Sequence, residues 1–94
     1  MIEVRATGDG DPLAFDVMVR DGKGETCHHV TMTRAACDLL TAGHHTAEQC
    51  LQAAFRFLLD REPKESILAR FDLTVISRYF PEFERELPRY LAQP

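Results

Sequence analysis

The chain has 94 residues, 45% of them hydrophobic and 28% charged, which describes one globular domain rather than a disordered, collagenous or coiled-coil chain. Fifteen acidic against eleven basic side chains leave a net charge of -4, and a dedicated nucleic-acid binder more often carries a basic excess. Three cysteines cannot make a fully paired disulfide framework, no run approaches the roughly 18 apolar residues of a membrane span, and Met1-Ile2-Glu3-Val4-Arg5 is no secretory signal, so a cytoplasmic location with reduced thiols is expected.

Ile2, Val4 and Ala6 alternate with Glu3 and Arg5, the period of a strand with one buried face. Thr7-Gly8-Asp9-Gly10-Asp11-Pro12 is a loop by composition. Phe15, Val17 and Val19 repeat the strand pattern, Asp21-Gly22-Lys23-Gly24 is a turn, and a third strand spans 26–32. Placing Gly22-Lys23 in a two-residue type II′ turn sets Arg20 opposite Glu25, Asp16 opposite His29, Val17 opposite His28 and Phe15 opposite Val30. Apolar partners then share one face and opposite charges the other, whereas a one-residue slip mixes the faces.

Thr33 can cap a helix over 34–42, with Gly43 as its stop. Thr46-Ala47-Glu48-Gln49 matches the capping box, and Leu51, Ala54, Phe55 and Leu58 continue at helical spacing as a central helix. Pro63 ends that helix at about 60–62 and can open a short one carrying Ile67, Leu68 and Phe71. The segment 72–80 reads two ways. Thr74-Val75-Ile76 is β-branched and suits a strand, while Leu73, Ile76 and Phe80 keep helical spacing behind Asp72 as a cap. The second pattern resumes as Phe83, Leu87 and Leu91, which favours two short helices broken at Phe80-Pro81. Six apolar side chains in one stripe must be covered, while Glu82, Glu84, Arg85 and Glu86 fall largely off it. The expected fold is α+β and a single domain, 1–94. A small antiparallel sheet of about three strands, the hairpin plus the N-terminal strand, packs against four or five C-terminal helices.

The residues with chemical potential cluster between positions 27 and 50: Cys27, His28, His29, Cys37, His44, His45 and Cys50. A metal site would draw on Cys27, His29, His44, His45 and Cys50, but there is no C-x-x-C and no H-x₃₋₅-H, so no metal is expected. Cys37 sits among Ala35, Ala36, Leu39 and Leu40 as a small apolar residue. Cys50, in the first turn of the central helix, has either that role or a thiol activated by the helix dipole. His28 reads as a core-edge histidine, His29 as a partner of Asp16, and His44 and His45 as loop residues. Ser66 and Ser77 lack a nucleophile-elbow frame, Gly8-Asp9-Gly10 lacks the third glycine of a dinucleotide loop, and Asp9 and Asp11 lack the rest of a calcium loop. No catalytic residue and no cofactor emerges.

Six of the eight aromatics lie within residues 57–90: Phe57, Phe71, Tyr79, Phe80, Phe83 and Tyr90. They fill the core, or else Tyr79, Phe80, Phe83 and Tyr90 anchor a protein partner. The stretch Phe57-Leu58-Leu59-Asp60-Arg61-Glu62-Pro63-Lys64-Glu65-Ser66-Ile67-Leu68, with Phe71-Asp72-Leu73 and Ile76-Ser77-Arg78-Tyr79-Phe80-Pro81-Glu82-Phe83-Glu84, resembles a family of small bacterial proteins of about this length to which no activity is assigned. His29-Val30-Thr31 at the end of the hairpin is similar to theirs. The resemblance implies a bacterial cytosolic protein and brings no site. The strand–strand–strand–helix order is also similar to antitoxin-type modules, an analogy of fold alone.

The preferred function is a non-enzymatic protein-interaction or regulatory module, as a monomer or homodimer, with an unidentified protein partner and no membrane. The first alternative is a small thiol- or metal-dependent enzyme built on the Cys/His cluster. The second is a nucleic-acid-associated, antitoxin-like regulator, for which Arg5, Arg20, Lys23, Arg34 and Arg56 form no basic stripe.

Overall fold

A computed structural model describes residues 1–93 of the chain. Strands β1 (Ile2–Gly8), β2 (Leu13–Asp21) and β3 (Gly24–Met32) form an antiparallel meander. Helices α1 (Arg34–Thr41) and α2 (Ala47–Leu59) come next, then a 3-10 turn over Lys64–Ser66 and a short strand β4 (Arg70–Asp72). A second 3-10 turn (Leu73–Val75) leads into α3 (Ile76–Tyr79) and α4 (Phe83–Leu91). Among the described residues the fold is α+β, with a four-stranded mixed sheet in the order β1-β2-β3-β4 and four α-helices.

The hairpin has the register expected from charge and pattern: Arg20 faces Glu25, Asp16 faces His29, Val17 faces His28 and Phe15 faces Val30. Arg20 Nε lies 2.7 Å from Glu25 Oε1. Phe15, Val17, Val19, Val30 and Met32 are buried beneath the helices. The turn itself differs from a type II′ turn. Gly22 does not have the positive φ which that turn demands at its first position; the positive φ is at Gly24, 137°. The Asp21 carboxylate accepts the Lys23 N–H at 2.7 Å, and this side-chain closure shapes the turn.

Both helix starts obey their caps. The Thr33 hydroxyl accepts the Ala36 N–H at 3.0 Å. At α2 the box is complete: Thr46 Oγ1 accepts the Gln49 N–H at 3.1 Å, and Gln49 Oε1 accepts the Thr46 N–H at 2.8 Å. Helix α1 ends at Thr41, with Ala42 and Gly43 both in the left-handed region. Loop 9–11 is tied to that helix, since Arg34 donates to the Gly10 and Asp9 carbonyls and its N–H bonds Asp11 Oδ1. Helix α2 lies across the core and buries Cys50, Leu51, Ala53, Ala54, Phe55, Phe57 and Leu58.

Two expectations are corrected after Pro63. The proline opens only a 3-10 turn, and Ile67 is extended. Arg70–Asp72 then pairs in parallel with β3, His29 to Arg70 and Thr31 to Asp72, so the sheet has a fourth strand and is mixed rather than antiparallel. Parallel pairing takes its hydrogen bonds from a strand far back in the chain, and that outweighs the local helical spacing. Asp72 does cap the second 3-10 turn, accepting the Thr74 N–H at 3.1 Å, and it also accepts the Thr31 hydroxyl at 2.8 Å. The break at Phe80-Pro81 separates α3 from α4. Leu73, Ile76, Phe83 and Leu87 of the stripe are buried; Phe80 and Leu91 are half-buried. Glu84 and Arg85 are solvated, while Glu82 and Glu86 are partly covered. No helix among the described residues is long and apolar enough to cross a membrane.

Candidate functional site

The four aromatic partner candidates separate. Phe83 and Tyr90 belong to the core, grouped around Phe57 with ring centroids 5.1 and 5.8 Å away. Tyr90 is locked there by its hydroxyl, which donates to Asp60 Oδ2 at 2.6 Å and accepts from Arg61 at 3.3 Å. The Arg61 guanidinium stacks 3.7 Å above the Phe57 ring and reaches Glu82 at 3.2 Å. Helical spacing identifies a stripe but not which of its rings meet α2, so these two look the same in sequence as a surface pair. Tyr79, 67% exposed, and the half-buried Phe80 reach the surface.

Both line a groove formed where α2 ends. Leu58 and Glu62 make one wall, Ile67, Leu68 and Phe71 a second, and Val75, Ile76, Tyr79 and Phe80 the third. Its volume is about 140 Å³, room for one large side chain and well below the roughly 300–1,000 Å³ of small-molecule pockets. Among the described residues the exposed large hydrophobics are Met1, Leu39, Leu68 and Tyr79, and two of them flank this groove. Isolated exposed apolar residues are ordinary; two beside an apolar groove are less so.

Glu62 is the only acidic or basic side chain in the wall. Burial pushes its carboxyl above the usual range, and among the described residues no ion pair or hydrogen bond draws it back. The sequence offers no sign of this, because Glu62 reads as one more charge in the run Asp60-Arg61-Glu62. The rim is fixed by His28, which is buried beside Phe55 at 5.4 Å between ring centroids. Its Nδ1 lies 2.7 Å from the Leu68 carbonyl oxygen and its Nε2 lies 2.8 Å from Thr26 Oγ1. A carbonyl only accepts, so Nδ1 carries the proton.

The metal candidates do not converge. Cys27 and His29 lie on the open face of the sheet, His29 against Asp16, while Cys50 is buried on the other side beside Met32. His44 and His45 are in the α1–α2 loop. Among the described residues no three His, Cys, Asp or Glu side chains are grouped to hold a metal ion. Activation of Cys50 by the helix dipole is overturned: burial pushes its thiol up to about 12, away from thiolate chemistry. No protein-family model matches this chain, and neither does any curated protein or solved structure.

Proposed function

We propose that the protein is a non-enzymatic interaction module that docks an extended or helical segment of a protein partner in the groove beside Tyr79. One observation carries this reading: an apolar groove of side-chain size holds a carboxylate that has no partner among the described residues, and exposed Leu68 and Tyr79 flank it. The apolar walls take an apolar anchor residue, and Glu62 selects a basic group next to that anchor. The lack of a basic excess and three unpaired cysteines support a cytoplasmic setting away from nucleic acid.

The test is a displayed random-peptide selection on the whole chain, with nuclear magnetic resonance mapping of the peptides recovered. Peptides pairing an apolar residue with Lys or Arg are expected, with shifts confined to Leu68, Phe71, Tyr79 and Glu62. Tyr79→Ser should abolish their binding, and Glu62→Gln should weaken it and remove the preference for a basic residue. Recovered peptides that map elsewhere, or that bind Tyr79→Ser unchanged, overturn the proposal.

A further inference from the structure

The outer edge of the sheet is open along β1. Met1 and Arg20 exchange both backbone hydrogen bonds, at 2.7 and 2.8 Å, so Met1, Glu3 and Arg5 aim their N–H and C=O groups at β2. Ile2, Val4 and Ala6 therefore aim theirs outward. Among the described residues the Ile2 carbonyl alone of these groups meets a side chain, Gln52 Nε2 at 2.8 Å, and a carbonyl keeps a second lone pair for another donor. The strand is regular from Ile2 to Ala6, with its bulge only beyond Ala6. It has neither the lysine, the proline nor the inward-pointing charge with which natural edges block pairing.

We infer that β1 pairs antiparallel with β1 of a second copy of this chain about a two-fold axis at Val4, joining the two sheets into one of eight strands. Val4 then faces Val4 and Ile2 faces Ala6, all of them residues with outward backbone groups, so each facing pair exchanges two hydrogen bonds. The side chains choose this register. On the open face it places Glu3 opposite Arg5 of the second copy, twice by symmetry, and on the helical face it places Ile2 and Val4 against Ala6 and Val4. An axis at Glu3 or at Arg5 would instead set like charges against each other. Both charges are exposed: Glu3 is in solvent, and Arg5, its side chain 77% exposed, forms a 3.6 Å ion pair with Asp16.

The experiment is sedimentation velocity of the whole chain from low micromolar to near-millimolar concentration, with circular dichroism melts alongside. The native chain should dimerise reversibly. Glu3→Arg and Arg5→Glu each put like charges at both seam positions and should weaken the dimer by about tenfold or more, while the double exchange restores it to within about threefold. Val4→Pro removes an outward N–H that makes no bond to β2, so it should abolish the dimer in a chain that still melts cooperatively. A native chain that stays monomeric throughout overturns the inference. So does a double exchange as weak as either single one, or a dimer that survives Val4→Pro.

Discussion

His28 Nδ1 donates a hydrogen bond of 2.7 Å to the carbonyl of Leu68, a residue 40 positions further along the chain. This contact joins the middle of the hairpin to the rim of the groove, and the ring is almost wholly buried, 2% exposed. His28→Leu keeps an apolar filling but leaves the Leu68 carbonyl without its donor. A cost of about 1–3 kcal/mol is expected. In a domain of this size that lowers the melting temperature by several degrees. Native-state hydrogen exchange should also rise around 67–71. A melt within one degree of the parent would contradict this role.

Phe57 and Phe80 meet edge to face at 5.8 Å, but they differ in cover: Phe57 is fully buried and Phe80 half-exposed on the groove wall. Phe57→Ala removes the centre of the aromatic group and should cost about 3–5 kcal/mol. Phe80→Ala should cost about 1–3 kcal/mol, since part of that ring is already in water. Chemical denaturation of both variants gives the comparison, and equal losses would show that the two rings are equally part of the core.

The Lys64 side chain is covered to 2% exposure, and its ammonium lies 2.9 Å from Asp21 Oδ1 and 2.6 Å from Glu65 Oε2. The hydrogen bonds from Lys64 hold both carboxyls below their usual range. Groups with depressed folded values stabilise the fold above the ordinary carboxylate range and lose that contribution as pH falls through the folded values. Lys64→Met removes the cause. Its melting temperature should therefore fall less than the parent's as pH drops from neutral through the carboxylate range. Parallel declines in the two proteins would refute the coupling.

Three free thiols differ in reach: Cys27 is exposed on the open sheet face, while Cys37 and Cys50 are buried. Burial raises the Cys37 thiol as well as that of Cys50. A maleimide at neutral pH should label one cysteine per native chain, at position 27 by peptide mapping, and all three after denaturation. Native labelling of Cys50 would mean that α2 lifts off the sheet.

The hairpin is legible in the sequence because its information is local. Alternating apolar residues, facing charges and an Asp-Gly turn all lie within twenty-odd positions, and they agree. The caps at Thr33 and Thr46 are legible for the same reason. Strand β4 is not, because Arg70-Phe71-Asp72 is too short to show a period and is extended only through its bonds to β3. The groove inherits that obscurity. Leu68 and Tyr79 border the same hollow because the chain pairs with β3 between them and then turns through α3, and nothing near either residue says so.

The parallel joining of β3 to β4 has a kinetic consequence. β1, β2 and β3 meet through short connections, so they can associate at small loop-closure cost. β4 reaches β3 only after α1 and α2 have turned the chain back, and it is held by three facing residue pairs. On loop closure alone, the meander with α2 is expected to be the better protected part in native-state hydrogen exchange and the segment 64–79 the sooner to exchange. The groove is walled largely by that segment, so exchange rising first over 67–79, while β1, β2 and β3 stay protected, is the outcome expected of this order.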